Sequence, residues 1–163
     1  MGTIPRQATM SVVVDATPTA VWEVVGDPTR TGEWSHECAA VEYLDGAITP
    51  RPGVRFRGRN RVGRSRWSRT CEILTLDPGH EISWRTIPSR LHDDSTVWTI
   101  SVEPDGAGTR IEQRYEITRL SRLMERFIWW FVPVHRDRRP ALAADLARIG
   151  ALAAATPRRQ VHG

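Results

Sequence analysis

Four polar side chains stand out because the alternation around them points them into an otherwise apolar surface. In the stretch 54–62, Val54, Phe56, Gly58, Asn60 and Val62 take one side of an extended chain, and Arg55, Arg57, Arg59 and Arg61 take the other. A two-residue turn at Gly63-Arg64 sets Asn60 opposite Trp67, Gly58 opposite Arg69, Phe56 opposite Cys71 and Val54 opposite Ile73. The same rule groups Ile82, Trp84 and Thr86, then Trp98, Ile100 and Val102, then Ile111, Gln113, Tyr115 and Ile117. Asn60, Arg69, Gln113 and Tyr115 thus point inward among Trp67, Trp84 and Trp98. Aromatic walls with a few placed hydrogen-bonding groups are the lining of a small-molecule cavity, although a solid core with a satisfied polar network gives the same pattern. Arg69 favours the cavity. A guanidinium keeps its charge, so an inward arginine requires a carboxylate, a bound anion or water, and no carboxylate stands among the inner-face residues. A slip of one residue in register would turn Arg69 outward.

Groups that move protons are sparser. His92 with Asp93 and Asp94 falls in one loop, and His36 follows Trp34 near the entrance side of the expected cavity. Cyclisation or dehydration needs such a group together with a donor that stabilises an enolate, a part Arg69 or Tyr115 could take. No catalytic residue is assigned. The sequence has no Gly-x-Ser-x-Gly elbow, no His-Glu-x-x-His pair and no complete Gly-x-Gly-x-x-Gly loop, which leaves triad hydrolysis, zinc proteolysis and dinucleotide binding without support. His36-x-Cys38 lacks partners spaced to complete a metal site, so no metal is expected. All 23 basic residues are arginine, and the absence of lysine excludes Schiff-base and phosphate-loop lysine chemistry.

The elements that must position these residues follow from punctuation and period. A β-branched strand spans 10–15, and Thr17-Pro18 and Asp27-Pro28 each give a helix start, so two brief helices follow it. Six strands are predicted at 38–44, 54–62, 65–76, 81–88, 96–103 and 109–117, broken by Asp45-Gly46, Gly63-Arg64, Asp77-Pro78-Gly79 and Pro104 to Gly108, which reads as an antiparallel meander. A basic, aromatic helix is predicted over 119–130, ended by Pro133, and a further helix begins near Pro140. There Leu142, Leu146, Ile149 and Ala153 share a buried face, with Asp145 and Arg148 pointing elsewhere. The chain of 163 residues, 40% hydrophobic and 26% charged, has the size and mix of one globular domain, placed at 7–156 between flexible termini 1–6 and 157–163. No secretory signal or membrane span is apparent, so a cytoplasmic protein is expected, with Cys38 and Cys71 as small core residues.

The order strand, two short helices, six-stranded meander and long C-terminal helix resembles the START-like (SRPBCC, or Bet v 1-like helix-grip) superfamily, in particular its bacterial polyketide cyclase/dehydrase and lipid-transport branch. The residues that carry the resemblance are Ala16 to Trp22, Asp27 to Arg30 with Glu33-Trp34-Ser35, Pro52 to Phe56, Trp67 to Cys71, Pro78-Gly79 and Gly108 to Ile111. It implies an α+β fold, a curved seven-stranded antiparallel sheet wrapped around the C-terminal helix, with a cavity between them for an apolar or aromatic molecule and no cofactor. In such a sheet Cys38 and Cys71 lie on strands separated by a third, too far for a disulfide. The expected lining is Trp34, Phe56, Asn60, Trp67, Arg69, Trp84, Trp98, Gln113 and Tyr115.

Three functions are expected from this reading. The first is binding of a hydrophobic lipid, polyketide or similar molecule, with an anionic handle near Arg69. The second is a cofactor-independent aromatase/cyclase. The third is a protein-interaction module that uses the outer arginine face, since eight arginines and no acid lie between Arg51 and Arg69. Nucleic acid is disfavoured because no aromatics interleave those arginines. Phe127, Trp129, Trp130 and Phe131 are read as core packing, with peripheral membrane contact through Trp129 and Trp130 as the functional alternative.

Overall fold

The computed structural model describes residues 2–156, and the expected frayed end 157–163 lies outside them. Seven strands form one antiparallel sheet: β1 (Gln7–Val14), β2 (Cys38–Tyr43), β3 (Arg55–Val62), β4 (Ser65–Asp77), β5 (Glu81–Thr86), β6 (Ser95–Asp105) and β7 (Gly108–Arg119), in the order β1-β7-β6-β5-β4-β3-β2. The long connection from β1 to β2 holds helix α1 (Pro18–Val25) and a 3-10 turn (Pro28–Glu33). Each begins as the sequence dictates: Thr17 Oγ1 accepts from Ala20 N and Asp27 Oδ1 from Thr29 N, with a proline at the first helical position. After β7 come α2 (Arg122–Phe131), a 3-10 turn (Pro133–Arg136) and α3 (Arg139–Ala155).

The β3–β4 hairpin keeps the predicted register throughout, from Val62 opposite Ser65 to Asn60 opposite Trp67, Gly58 opposite Arg69 and Phe56 opposite Cys71. Gly63, at φ +58°, supplies the conformation that a two-residue turn demands at its first position. Arg69 therefore does lie on the inner face. Helix α3 packs along β1 and against α1, burying Leu146, Ile149 and Ala153 with Val21, Val24, Ile100, Val102 and Ile111, and Leu142 of the same helix is buried as well. Each of the large apolar side chains removed from water there contributes about 1.5–3 kcal/mol. A smaller cluster, Phe56, Cys71 and Ile73, floors the other half of the sheet, over which α3 does not extend.

Three expectations are corrected. Asp145 does not point away from the protein: it is buried at 1% exposure on the inner side of α3. The first residues are not loose, since Ile4 is buried, its amide donates to Glu125 Oε1 of α2 at 3.0 Å, and Arg6 pairs with the same carboxylate at 3.2 Å. Finally α2 is not core: Leu123, Phe127, Trp130 and Phe131 are all exposed.

The 3-10 turn before β2 approaches that strand at Gly32, where a Cβ would collide with the carbonyl oxygen of Ala39. This approach fixes the start of the segment that carries Trp34 and His36. Gly32→Ala is expected to destabilise by about 1–3 kcal/mol in urea unfolding; an unchanged midpoint would mean the turn moves freely off β2.

Candidate functional site

Between the bare half of the sheet and the helices lies a cavity of about 810 Å³. Trp34, Phe56, Asn60, Trp67, Arg69, Trp84, Trp98 and Gln113 all line it, and Tyr115 does not. Tyr115 instead sits against Trp98, ring centroids 5.3 Å apart, and its hydroxyl donates to the Pro5 carbonyl. The exposed part of the lining comes from Ser65 and Arg66 at the β3–β4 hairpin tip, from Leu91 in the loop between β5 and β6, where His92 lines the cavity beside it, and from Phe127 and Phe131 of α2. Cys38 and Cys71 both face this space as free thiols, pushed up by burial to about 11 and about 12, and are therefore not nucleophiles at neutral pH.

The charge argument built on Arg69 fails on a carboxylate outside the inner face. Asp94 reaches in from the loop and accepts from Arg69 Nη1 at 2.8 and 2.9 Å, while its carbonyl accepts from Nη2. Both side chains are largely buried, so the pair neutralises itself and leaves Arg69 no need of an anionic ligand. Of the loop residues proposed as proton carriers, Asp94 is thereby engaged, His92 is held down in pKa chiefly by burial, and Asp93 is not part of the lining. On the outer face Asp45 answers Arg55, Glu42 answers Arg57 and Arg59, and Glu72 answers Arg85. These exposed pairs are individually weak, but they break up the stripe of positive charge.

The polar end of the cavity is built from residues the inner-face pattern did not contain. Asp145 accepts from the His36 amide at 2.8 Å and from His36 Nδ1 at 2.7 Å, and Arg148 Nη1 donates both to Asp145 and to the Trp34 carbonyl. Because a carboxylate only accepts, His36 carries its proton on Nδ1 and turns Nε2 elsewhere. Glu37 Oε2 accepts from His135 Nε2 at 2.9 Å and lies 3.6 Å from His36 Nε2. Burial pushes the Glu37 carboxyl up, yet the His135 hydrogen bond and, at the low pH where this carboxyl titrates and the imidazoles are protonated, the charges of His135, Arg138 and His36 outweigh it and bring it down to about 2. Burial, followed by the Arg138 charge, lowers His135, which is thus neutral at pH 7, with Nε2–H donating to Glu37 and Nδ1 bare. Arg138, 8% exposed, lies over the rings of Trp98 and Tyr115 at 5.4 and 5.2 Å, with no carboxylate in ion-pair contact among the described residues.

Five buried polar atoms of this lining have no hydrogen-bond partner among the described residues: Trp34 Nε1, His36 Nε2, Gln113 Oε1, His135 Nδ1 and Arg138 Nε. Buried polar groups in folded proteins are overwhelmingly paired, and each orphan costs about 1–3 kcal/mol. All five belong to residues that line this one cavity, and each would accept or donate a hydrogen bond into it.

The model of the polyketide cyclase / dehydrase and lipid transport family matches residues 5–149. The chain belongs to that family. Solved structures share its fold: the polyketide-cyclase-like protein Cgl2372 from Corynebacterium glutamicum (TM-score 0.56, 25% identity, 90% of this chain and 88% of that one) and major latex-like protein 151 from Panax ginseng (TM-score 0.67, 11% identity, 96% and 100%). The di-domain ARO/CYC BexL of the BE-7585A biosynthetic pathway is similar over 90% of this chain and 46% of its own length (TM-score 0.63, 17% identity). No curated protein matches the sequence. No described helix is long and apolar enough to cross a membrane.

The signs of the two shifts agree. Glu37, about 2 in the fold against 4.5 ordinarily, contributes stability that is complete above about pH 4.5 and lost as the pH falls toward 2. His135, lowered from 6.5, begins to disfavour the fold as the pH drops below 6.5. Glu37→Gln is expected to melt at a lower temperature than wild type at pH 7, and its midpoint to fall less steeply between pH 7 and 3; parallel curves would show that the Glu37 carboxylate is not held by its neighbours.

Proposed function

We propose that the protein binds a largely apolar, ring-containing small molecule whose inner end bears a neutral oxygen group, a ketone or a phenol. The observation that carries this reading is the set of five orphaned polar atoms at the end of an aromatic cavity. Trp34 Nε1–H and Arg138 Nε–H offer donors to a carbonyl or phenolic oxygen, and Gln113 Oε1 and His135 Nδ1 offer acceptors to a hydroxyl. A neutral group suits the site because the charges there already balance, Glu37 and Asp145 against Arg138 and Arg148. This replaces the anionic handle expected at Arg69. The cavity volume falls within the usual range for small-molecule sites. Family membership supports a ligand-binding role.

The route by which an apolar ligand reaches the cavity is proposed to be a membrane surface. Leu123, Phe127, Trp130 and Phe131, 53–81% exposed on α2, face water beside the mouth, and Leu91 stands on the opposite lip at 81%. Arg122 and Arg126 on α2 and Arg66 on the hairpin add positive charge suited to anionic headgroups. Trp130 belongs to this surface. Trp129 does not: it packs against Gly2 and under the Arg136 guanidinium, 5.1 Å from its ring centre.

Three measurements check these statements. Gly58→Leu fills the cavity floor, where an added Cβ meets nothing nearer than Cys38 Sγ at 3.5 Å, and is expected to abolish binding of 1-anilinonaphthalene-8-sulfonate while the fold persists. Arg138→Met is expected to weaken 2-naphthol about tenfold and naphthalene hardly at all; equal loss for both would remove the oxygen-reading role. Co-flotation with vesicles of mixed neutral and anionic phospholipid is expected for wild type and lost in the Phe127→Ser, Trp130→Ser double variant, and wild type that stays with the soluble fraction would sink the membrane route.

A further inference from the structure

The same end of the cavity holds two carboxylate–imidazole pairs in sequence, Asp145–His36 and Glu37–His135, joined where Glu37 Oε2 stands 3.6 Å from His36 Nε2. We propose that His36 is a catalytic base that removes a proton from the carbon next to the carbonyl of a bound ketone, making this cavity an enolisation site. The proposal rests on the ligand-binding reading above and adds chemistry to it.

Three features carry it. Asp145, buried at 1% exposure, takes the Nδ1–H of His36 and also its backbone amide, so the ring cannot rotate freely and its Nε2 lone pair is fixed as the reactive atom. That Nε2 is buried, belongs to a residue lining the cavity and has no hydrogen-bond partner among the described residues. Glu37 does not use it up, because its near oxygen is already occupied by His135 Nε2 and lies beyond hydrogen-bond reach of His36. When His36 takes a proton, the new positive charge lies between the carboxylates of Asp145 and Glu37, which are in place before the reaction begins. Across the same space Trp34 Nε1–H and Arg138 Nε–H are unengaged donors for the oxygen on which negative charge develops.

The step balances without a co-reactant. The C–H bond breaks, its electron pair becomes the enolate, and a bond forms between the proton and His36 Nε2. On return, the N–H bond breaks and a new C–H or O–H bond forms, giving back the ketone or its enol. Nothing is oxidised or reduced. His36 is the catalytic residue and Asp145 a positioning residue.

The test uses 2-tetralone in deuterium oxide with the full chain, following exchange of its α-hydrogens by proton NMR and its binding by displacement of 1-anilinonaphthalene-8-sulfonate. Wild type is expected to exchange 2-tetralone about 100-fold faster than the same concentration of free imidazole. His36→Gln is expected to lose that factor while keeping its affinity. Asp145→Asn is expected to lose it too at unchanged affinity, since an amide donating to Nδ1 forces the proton onto Nε2 and turns the base into a donor, an effect that mere loosening of the fold would not confine to the rate. His80→Gln, on an exposed turn distant in sequence from the site, is expected to match wild type. Bound 2-tetralone that exchanges no faster than with imidazole, or His36→Gln as fast as wild type, overturns the enolisation site and leaves the binding reading standing. Failure of the ketone to displace the dye overturns both.

Discussion

A carboxylate withdrawn from water must be given donors or be neutralised, and Asp145 is given three. His36 supplies two of them, its amide and its ring, and Arg148 the third. This cluster ties the loop before β2 to the second turn of α3 across more than a hundred residues of sequence. Once that tie exists, Trp34 is sealed under α3, Glu37 is brought to His135, and the far half of the sheet is left without a helix over it. The cavity is what remains between a helix anchored over β1 and β7 and a sheet that continues for five strands beyond it.

The polar end costs stability that an apolar core would not. Filling the same space with leucine would remove five orphaned atoms and two buried carboxylate–imidazole pairs, and replacement of buried charge by packed hydrocarbon is often neutral or favourable. Sites that bind or react commonly retain such local disadvantage. Arg69 and Asp94 show the contrasting case, an inward charge matched within the chain, and they stand nearer the mouth loop than the orphaned set.

Much of the sheet was legible because period-two alternation and turn chemistry agree with each other over the β3–β4 hairpin: one turn type at Gly63 fixes eight pairings and with them the faces of Phe56, Asn60, Trp67 and Arg69. Trp84, Trp98 and Gln113 followed by the same rule. Tyr115 shares their face but is covered by the Arg138 guanidinium and tied to the Pro5 carbonyl, a distinction alternation cannot make. Asp94 was missed because a loop residue has no period, and a loop carboxylate can reach in where no strand residue does. Asp145 was misplaced for a related reason. Its position lies next to the apolar stripe of α3, and hydrophobicity alone assigns an aspartate to water; only knowledge of the donors waiting at His36 would have turned it inward. Glu37, His135 and Arg138 sit in irregular segments whose meeting is set by tertiary closure, and the histidine at position 36 was the one signal the sequence offered for them.

Helix α2 is held to the body of the protein by few contacts. Its exposed apolar face gives it little purchase on the body, and Glu125 instead grips the first strand's approach through Ile4 and Arg6, with Trp129 resting on Gly2. Elements held by few buried contacts open more readily than a packed core, so the opening of α2 is set by these few contacts. Contacts made by Gly2, Ile4 and Arg6, none of which lines the cavity, thus hold in place the helix that forms part of its wall.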